Sequence, residues 1–234
     1  MNLILLDRED IHGGKAVITG RKLEHILTFI KPSTGDKLRA GILNGTMGEG
    51  VVTSITGHEI IMELALNIDP PAPLSLKLIL AMPRPKVLNR VIQHAASMGI
   101  KEIFIIKTWR VEKSYWSSPL LEPENLRSQM ITGLEQGKDT VMPKIEIRKR
   151  FRPFVEDELP SIIEGSLALA AHPHAEGICP RNVDSSVTLA LGPEGGFIPY
   201  EIEALEKAGF KAVSLGSRIL RVETALPFLT GRLF

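Results

Sequence analysis

Two glycine-containing segments near the end of the chain carry residue types that could bind a ligand through backbone groups. The first is Gly192-Pro193-Glu194-Gly195-Gly196, and the second runs from Gly216 through Ser217-Arg218-Ile219-Leu220-Arg221. Glycine lets backbone amides and carbonyls approach a ligand that a Cβ atom would hold away. The two segments therefore predict a ligand site built mainly from backbone groups, with charged side chains beside it.

Short apolar runs and helical patterns must position these segments. The apolar run Val187–Leu191 leads into the first segment, and a helical pattern covers Pro199–Ala208. A second apolar run, Ala212–Leu215, leads into the second segment. This alternation of strand, glycine loop and helix is typical of a parallel α/β sheet, in which ligands bind at the carboxyl ends of strands. One such loop is more often only a tight turn; two loops one strand apart favour a site, although their spacing does not name the ligand.

Length and composition are those of an ordinary globular protein of one large or two small domains. The formal net charge of +1 gives no overall attraction to nucleic acid, so any RNA contact must come from local basic patches. The single Cys179 excludes an internal disulfide and fits a reducing compartment. The apolar residues 1–6 are followed at once by charged ones, which predicts a buried strand rather than a signal peptide. No run approaches the length of a membrane span, and we expect a cytoplasmic protein.

The pattern of elements predicts two domains. Residues 1–69 read as short strands with one helix over Arg21–Phe29 and a hairpin turn at Asn44-Gly45, which is typical of a small β-barrel. The proline-rich residues 70–73 form a stiff linker. Residues 74–234 alternate between strand and helix patterns, which predicts an α/β domain with a mostly parallel sheet.

The segments LGPEGGF (residues 191–197) and VSLGSRILRVETA (residues 213–225) resemble the C-terminal signature of the ribosomal RNA uracil-N3 methyltransferases of the SPOUT superfamily. The resemblance is close over residues 191–225 and looser elsewhere. It implies a C-terminal SPOUT α/β domain with a trefoil knot, preceded by a PUA-like β-barrel that helps to hold RNA. It further implies S-adenosylmethionine as cofactor, methylation of N3 of a uridine in 16S ribosomal RNA, and a homodimer with the final helix (Glu223–Leu229) in its interface.

The resemblance also assigns roles to residues. Arg221 and Glu194 become the catalytic candidates, Arg221 as the group that stabilises the uracil anion. Without it, Arg221 or Arg218 would be expected in a weak surface salt bridge with Glu223, and Glu194 as a solvated loop residue. The implied cofactor-binding residues are His172, Leu191, Gly192, Pro193, Gly195, Gly196, Leu215, Gly216, Ile219, Leu220, Arg221, Thr224 and Ala225.

Local basic groups are the candidates for contact with ribosomal RNA, which we expect in the assembled small subunit. The implied RNA-binding residues are Arg84, Lys86, Arg110, Lys113 and Arg148. Basic runs are more often only solvated faces. The segment from Thr108 to Trp116 adds aromatic residues that could stack on bases. Here Trp109 and Val111 replace the Glu and Ser of the related segment, and Lys31 replaces an Arg, so the expected RNA face departs from the family's pattern.

Other sites are disfavoured or absent from the sequence. His172-Pro173-His174 and Cys179 are too few for a closed zinc site, so no metal is expected. No dinucleotide-binding, Walker A or nucleophile-elbow motif occurs. The alternatives are a SPOUT methyltransferase acting on another RNA and a non-catalytic, RNA-binding ribosome assembly factor.

Overall fold

The computed structural model describes residues 2–234, so Met1 of the predicted N-terminal strand lies outside the described residues. The chain divides into two compact units. One contains the residues up to Ala72 together with Ile131–Met142, and the other contains Pro73–Met130 together with Pro143–Phe234. No local pattern indicates that residues 131–142 are grouped with the N-terminal ones, because they begin inside the helix Pro123–Gly137, which starts in the other unit.

The first unit is built on a six-stranded sheet. Its strands are β1 (Ile4–Leu6), β2 (Ile11–His12), β3 (Lys15–Ile18), β4 (Lys37–Ile42), β5 (Met47–Ile55) and β6 (Ile60–Ile68). They lie in the order β1-β4-β5-β6-β3-β2, with β1 parallel to β4 and the other pairs antiparallel. Within residues 2–234, β1 and β2 are open edges, so the sheet is a half-barrel and not the closed barrel expected. The two-residue β2 is too short to offer β1 a ladder that would close it.

Alternating side chains bury one face of this sheet against a short helical segment. The helix predicted over Arg21–Phe29 is present as α1 (Gly20–His25), which continues as a π-helix (Ile26–Ile30). Lys31, in the left-handed conformation with φ 52°, ends it. The buried cluster is apolar throughout: Ile4, Leu6, Ala16, Ile18, Leu23, Ile26, Ala40, Val52, Ile60 and Met62.

The second unit contains a six-stranded sheet in which every pairing is parallel. Its strands are β7 (Leu76–Ala81), β8 (Glu102–Ile106), β9 (Lys144–Arg148), β10 (Leu167–Ala171), β11 (Val187–Leu191) and β12 (Lys211–Val213). They lie in the order β12-β10-β11-β7-β8-β9. The predicted mixed α/β fold with a parallel sheet is confirmed.

Helices connect these strands. The α-helices are α2 (Pro85–Ser97), α3 (Pro123–Gly137), α4 (Phe151–Pro153), α5 (Leu159–Ile162), α6 (Pro199–Lys207) and α7 (Val222–Leu233). A π-helix (Phe154–Glu158) joins α4 to α5, and 3-10 helices cover Lys113–Ser117 and Pro119–Leu121. The first unit has a 3-10 helix, Arg8–Asp10, between β1 and β2. Pro160 lies in the first turn of α5, directly after the π-helix.

The pattern of α2 shows how the sequence fixes these elements. Pro85 opens the helix, and apolar side chains at spacings of three and four residues face the core, among them Leu88, Val91 and Ile92. The helix ends before Gly99, whose φ of +82° suits glycine. Because all six strands are parallel, the segments that follow them lie at one edge: residues 82–84, 107–113, 149–150, 172–174, 192–198 and 214–221. This carboxyl edge brings together residues that are far apart in sequence.

Candidate active site

A cavity of about 230 Å³ lies among the segments that follow β10, β11 and β12. These strands are close neighbours in the sheet, so their carboxyl ends bring the segments together. The cavity is lined by Ala171, His172, Pro173, Leu191, Gly192, Pro193, Glu194, Gly196, Val213, Leu215, Gly216, Arg218, Ile219, Leu220, Arg221, Val222 and Ala225. Its wall is mostly backbone and apolar side chains, with one carboxylate, two guanidinium groups and one imidazole.

The structure brings most of the predicted cofactor-binding residues to this cavity. Those that line it are His172, Leu191, Gly192, Pro193, Gly196, Leu215, Gly216, Ile219, Leu220, Arg221 and Ala225. Gly195 and Thr224 are not among the lining residues. The unpredicted lining residues are Ala171, Pro173, Val213, Arg218 and Val222. Their positions at strand ends and at the start of α7 become visible only once the strand order is known. The cofactor contacts stay predictions.

Glycine is required where the segment after β11 folds back on itself. A Cβ atom on Gly192 would lie 3.0 Å from the backbone nitrogen of Phe197 and 3.2 Å from Cα of Gly196. Gly196 has a φ of +70°, and its N–H donates to the carbonyl of Pro193 at 2.7 Å. The glycine loop (residues 192–197) thus presents backbone to the cavity at positions where a side chain would displace it.

Arg221 lies at the cavity and at the start of α7. It is the N-cap of that helix, and its carbonyl accepts the N–H groups of Thr224 and Ala225 at 2.9 and 2.7 Å. Its side chain is exposed, as is that of Arg218. Neither guanidinium has a hydrogen-bond or ion-pair partner within residues 2–234, and the alternative salt bridge with Glu223 is not formed there. Two unpaired cations therefore lie at the cavity.

His172 offers a polar atom in a buried part of the same wall. Its backbone N–H donates to the carbonyl of Val213 at 2.9 Å. Nδ1 of its ring is buried and has no partner within residues 2–234. Burial lowers the pKa of His172 below its ordinary value, nearby His174 and Arg110 lower it further, and Glu206 opposes this. The imidazole is therefore neutral near pH 7 and can satisfy Nδ1 only through a ligand or water.

Glu194 connects two of the segments at the carboxyl edge. Its Oε1 accepts the backbone N–H of Arg84 at 3.0 Å, although the two residues are 110 positions apart. Arg84 is the N-cap of α2. The carboxylate is thus held at the cavity rather than moving freely in solvent.

Glu201 is a positioning residue that sequence reasoning missed. Its side chain is only 2% exposed. Its Oε1 accepts the backbone N–H of Trp109 at 2.6 Å, and its Oε2 accepts that of Ile198 at 2.9 Å. It therefore joins the segment after β8 to the segment after β11 (residues 192–198). The sequence indicated it only as an acidic residue in the first turn of α6, where such charges stabilise helices.

A second contact joins the same two segments. Nη1 of Arg110 donates to the carbonyl of Gly195. The stem of Arg110 also packs on this glycine, since a Cβ atom there would lie 3.0 Å from Cδ of the arginine. Gly195 therefore serves as a contact for Arg110, which accounts for its place outside the cavity wall.

The five predicted RNA-binding residues fall into two groups. Arg84, Lys86, Arg110 and Lys113 are exposed at or beside the carboxyl edge. Arg148 is different: its Nη2 lies 2.6 Å from Oε2 of Glu146 and its Nε 2.6 Å from Oε2 of Glu158. These carboxylates raise the pKa of Arg148. Arg148 is therefore held by two carboxylates of the same unit, and its contact with RNA stays a prediction.

Within residues 2–234, no group of three or more His, Cys, Asp or Glu residues is arranged to hold a metal ion. No helix in this part of the chain is long and apolar enough to cross a membrane. Cys179 is buried, and burial raises the pKa of its thiol, so it is protonated near neutral pH.

Comparison with known proteins places the chain among RNA-modifying enzymes. A family model described as an RNA methyltransferase domain matches residues 70–233. A ribosomal RNA small subunit methyltransferase E from Treponema pallidum is 30% identical over 232 residues, covering 96% of this chain and 87% of the relative. Ribosomal RNA small subunit methyltransferase E 1 from Borreliella burgdorferi is 27% identical and covers 96% of this chain and 94% of its own length. The chain therefore belongs to the RNA methyltransferase family, in the branch of the ribosomal RNA small subunit methyltransferase E proteins.

Solved structures show the same fold. A ribosomal RNA small subunit methyltransferase E from Neisseria gonorrhoeae, bound to S-adenosyl methionine, aligns with a TM-score of 0.74 at 19% identity, over 98% of this chain and 95% of that one. A methyltransferase from Legionella pneumophila with bound cofactor SAM aligns with a TM-score of 0.72 at 22% identity, over 97% and 96% of the two chains.

Proposed function

We propose that this protein transfers a methyl group from S-adenosylmethionine to N3 of a uridine in the 16S RNA of the small ribosomal subunit. One observation carries the proposal. In a chain that belongs to this family, the glycine loop, residues 215–220 and the unpaired Arg221 meet at one cavity. The family supports ribosomal RNA as the substrate, while the base and the atom rest on the resemblance of residues 191–225.

The cavity fits the cofactor in two respects. Gly192, which lines the cavity, lets the loop fold back to within 3.0 Å of where its Cβ atom would lie, and Nδ1 of His172 is a buried polar atom without a partner in residues 2–234. We expect backbone groups of the glycine loop and of residues 215–220 to hold the cofactor, with Leu191 and Leu215 against its apolar parts. When bound, S-adenosylmethionine supplies a methyl group already activated by a sulfonium sulfur.

The task left to the protein is to orient the uracil and to stabilise the charge on it. N3 of uracil carries a weakly acidic proton, which must leave for the nitrogen to act as a nucleophile. Arg221 is the N-cap of α7, and no carboxylate within residues 2–234 pairs with its guanidinium, which can therefore stabilise the uracil anion. Glu194 is the carboxylate at the cavity and hence the candidate to accept the proton.

The finer architecture belongs to the same proposal. We propose that residues 1–69 act as a PUA-like RNA-binding domain, residues 70–73 as a linker and residues 74–234 as a SPOUT domain with a trefoil knot. Two hydrogen bonds support the proposal of a knot. The N–H of Cys179 donates to Ser214 just after β12 at 2.9 Å, and that of Val183 donates to Leu233 at the end of α7 at 2.6 Å. The β10–β11 segment therefore contacts both ends of the stretch that would thread it.

We also propose a homodimer through the knot region and a cytoplasmic location. Phe228 and Phe234, on α7 and at its end, are 52% and 41% exposed. Large apolar side chains exposed on one helix support an interface there. The proposed contacts to RNA phosphates are the exposed Arg84, Lys86, Arg110 and Lys113. Because these contacts are electrostatic, the affinity for RNA should fall as the salt concentration rises.

The test supplies tritiated S-adenosylmethionine and small ribosomal subunits from a strain that lacks the gene, followed by digestion of the RNA to nucleosides. We expect the label in 3-methyluridine. Label in another nucleoside would retain the enzyme class and reject the target. Cofactor binding without transfer to ribosomal RNA would favour the alternative of another RNA, and absence of cofactor binding would favour an assembly factor.

A further inference from the structure

Trp109 presents a large aromatic side chain to solvent beside the candidate active site. Its side chain is 81% exposed. Tryptophan is highly buried on average, yet a single exposed apolar residue by itself needs no explanation. The way in which the chain holds Trp109 is what gives it significance.

The segment that carries Trp109 is anchored on both sides. Thr108 and Val111 are 3% and 5% exposed, so the residues flanking the exposed pair Trp109-Arg110 are in the core. The backbone N–H of Trp109 is bound by the buried carboxylate of Glu201 at 2.6 Å. The next side chain, Arg110, is bound to the glycine loop. Trp109 is thus presented on a fixed backbone, which lowers the entropic cost of binding a partner to it.

The second tryptophan of the chain shows the contrast. Trp116 is half-buried, and its Nε1 is buried. Nζ of Lys149 lies 6.0 Å from the centre of its ring. Trp116 therefore packs within the protein, whereas the ring of Trp109 is free to contact a partner.

The charges near Trp109 indicate what that partner is. Arg84, Arg110 and Lys113 are exposed at or beside the same sheet edge, and these cations suit a polyanion. Unpaired RNA bases stack on aromatic side chains while cations hold the phosphates. We propose that Trp109 is the stacking platform for an unpaired base of the RNA substrate, and so a positioning residue for methyl transfer. This inference rests on the proposed function for the identity of the substrate.

The first arm of the test compares W109A with W109F, which keeps an aromatic face. We expect W109A to raise KM for small ribosomal subunits about tenfold or more, in line with the known contribution of base stacking. The value of kcat should change much less, W109F should stay near wild type, and all three proteins should bind S-adenosylmethionine alike. An unchanged KM in W109A would overturn the proposal.

The second arm reads the stacking directly and does not depend on methyl transfer. Because the chain has two tryptophans, W116F leaves Trp109 as the sole emitter, and W109F leaves Trp116 as the matched control. A single-stranded oligouridine should quench the fluorescence of W116F and leave that of W109F unchanged. No quenching, or a response only to proteins extracted from the subunit, would overturn the inference. If wild type labels no ribosomal RNA, the proposed function fails, and this arm still decides whether Trp109 binds RNA.

Discussion

Two arginine-bearing regions lie at the same edge of the parallel sheet and differ in what surrounds their charges. At the end of β9, Arg148 is held between Glu146 and Glu158. At the cavity, Arg218 and Arg221 have no partner within residues 2–234. A guanidinium bound by carboxylates helps to fix the fold, whereas an unpaired one is available to an anionic ligand. The supply of carboxylates, rather than the number of basic residues, separates paired from unpaired arginines here.

Of the changes considered, removing the side chain of Arg221, one of the two unpaired arginines, should have the largest effect. R221A should reduce methyl transfer to ribosomal RNA by about 100-fold or more, because the developing anion loses a fixed donor. Binding of S-adenosylmethionine, measured by calorimetry, should change little. The control is R152A, which removes an exposed arginine paired with Glu156 and should leave transfer unchanged. Equal activity of R221A and R152A would remove Arg221 from the mechanism.

The next effect concerns the glycine loop. G192A places a methyl group 3.0 Å from a backbone nitrogen, so the loop must shift. We expect the affinity for S-adenosylmethionine to fall about tenfold, which equals about 1.4 kcal/mol. G57A is the matched control, since a Cβ atom at Gly57 meets nothing within 4 Å. Wild-type affinity in G192A would show that the loop does not hold the cofactor.

The buried carboxylate of Glu201, which joins two segments, should contribute to the free energy of unfolding. E201A leaves the N–H groups of Trp109 and Ile198 without their acceptor, which should lower the free energy of unfolding by about 2 kcal/mol. E203A, at an exposed position of the same helix, should change it by less than about 0.5 kcal/mol. Chemical denaturation measures both, and similar losses in the two variants would contradict the role given to Glu201.

The paired arginine should act on stability rather than on chemistry. R148A should leave methyl transfer near wild type and lower the free energy of unfolding by about 1 kcal/mol or less, because the pair is partly solvated. A transfer defect as large as that of R221A would contradict the comparison.

The ion pair between Arg148 and Glu146 should make the stability of the protein depend on pH. Lys144 and Arg148 hold the pKa of Glu146 below its ordinary value. The stability that this carboxylate contributes is present above its unfolded pKa of about 4.3 and is lost as the pH falls through the lowered folded pKa. Below about pH 5, the free energy of unfolding of R148A should therefore depend less steeply on pH than that of wild type.

The parts of this structure that sequence could predict are those encoded locally. The strand Val187–Leu191, the turn at Gly192 and the start of α6 at Pro199 follow from apolar runs, glycine and proline within a few residues. The carboxyl-edge cavity then follows from the rule for parallel sheets. The contact of Trp109 with Glu201 joins residues 92 positions apart and carries no local signal.

The pairing of Arg148 and the open sheet of the first unit also depend on contacts between distant parts of the chain. Glu146 and Arg148 are two residues apart on one strand, so their side chains share a face and their pairing could have been expected. The contact of Arg148 with Glu158 depends on the π-helix that ends at Glu158, and no sequence pattern indicated this helix. The half-barrel likewise depends on which strand ends meet, a property of tertiary pairing and not of any single strand.

The most direct test of the account is a crystal structure of the protein with S-adenosylmethionine. We expect the cofactor in the cavity between the glycine loop and residues 215–220, with the guanidinium of Arg221 still unpaired and Arg148 still bound to Glu146 and Glu158. A cofactor bound elsewhere, or Arg221 engaged by a carboxylate of the protein, would contradict the distinction between the two regions.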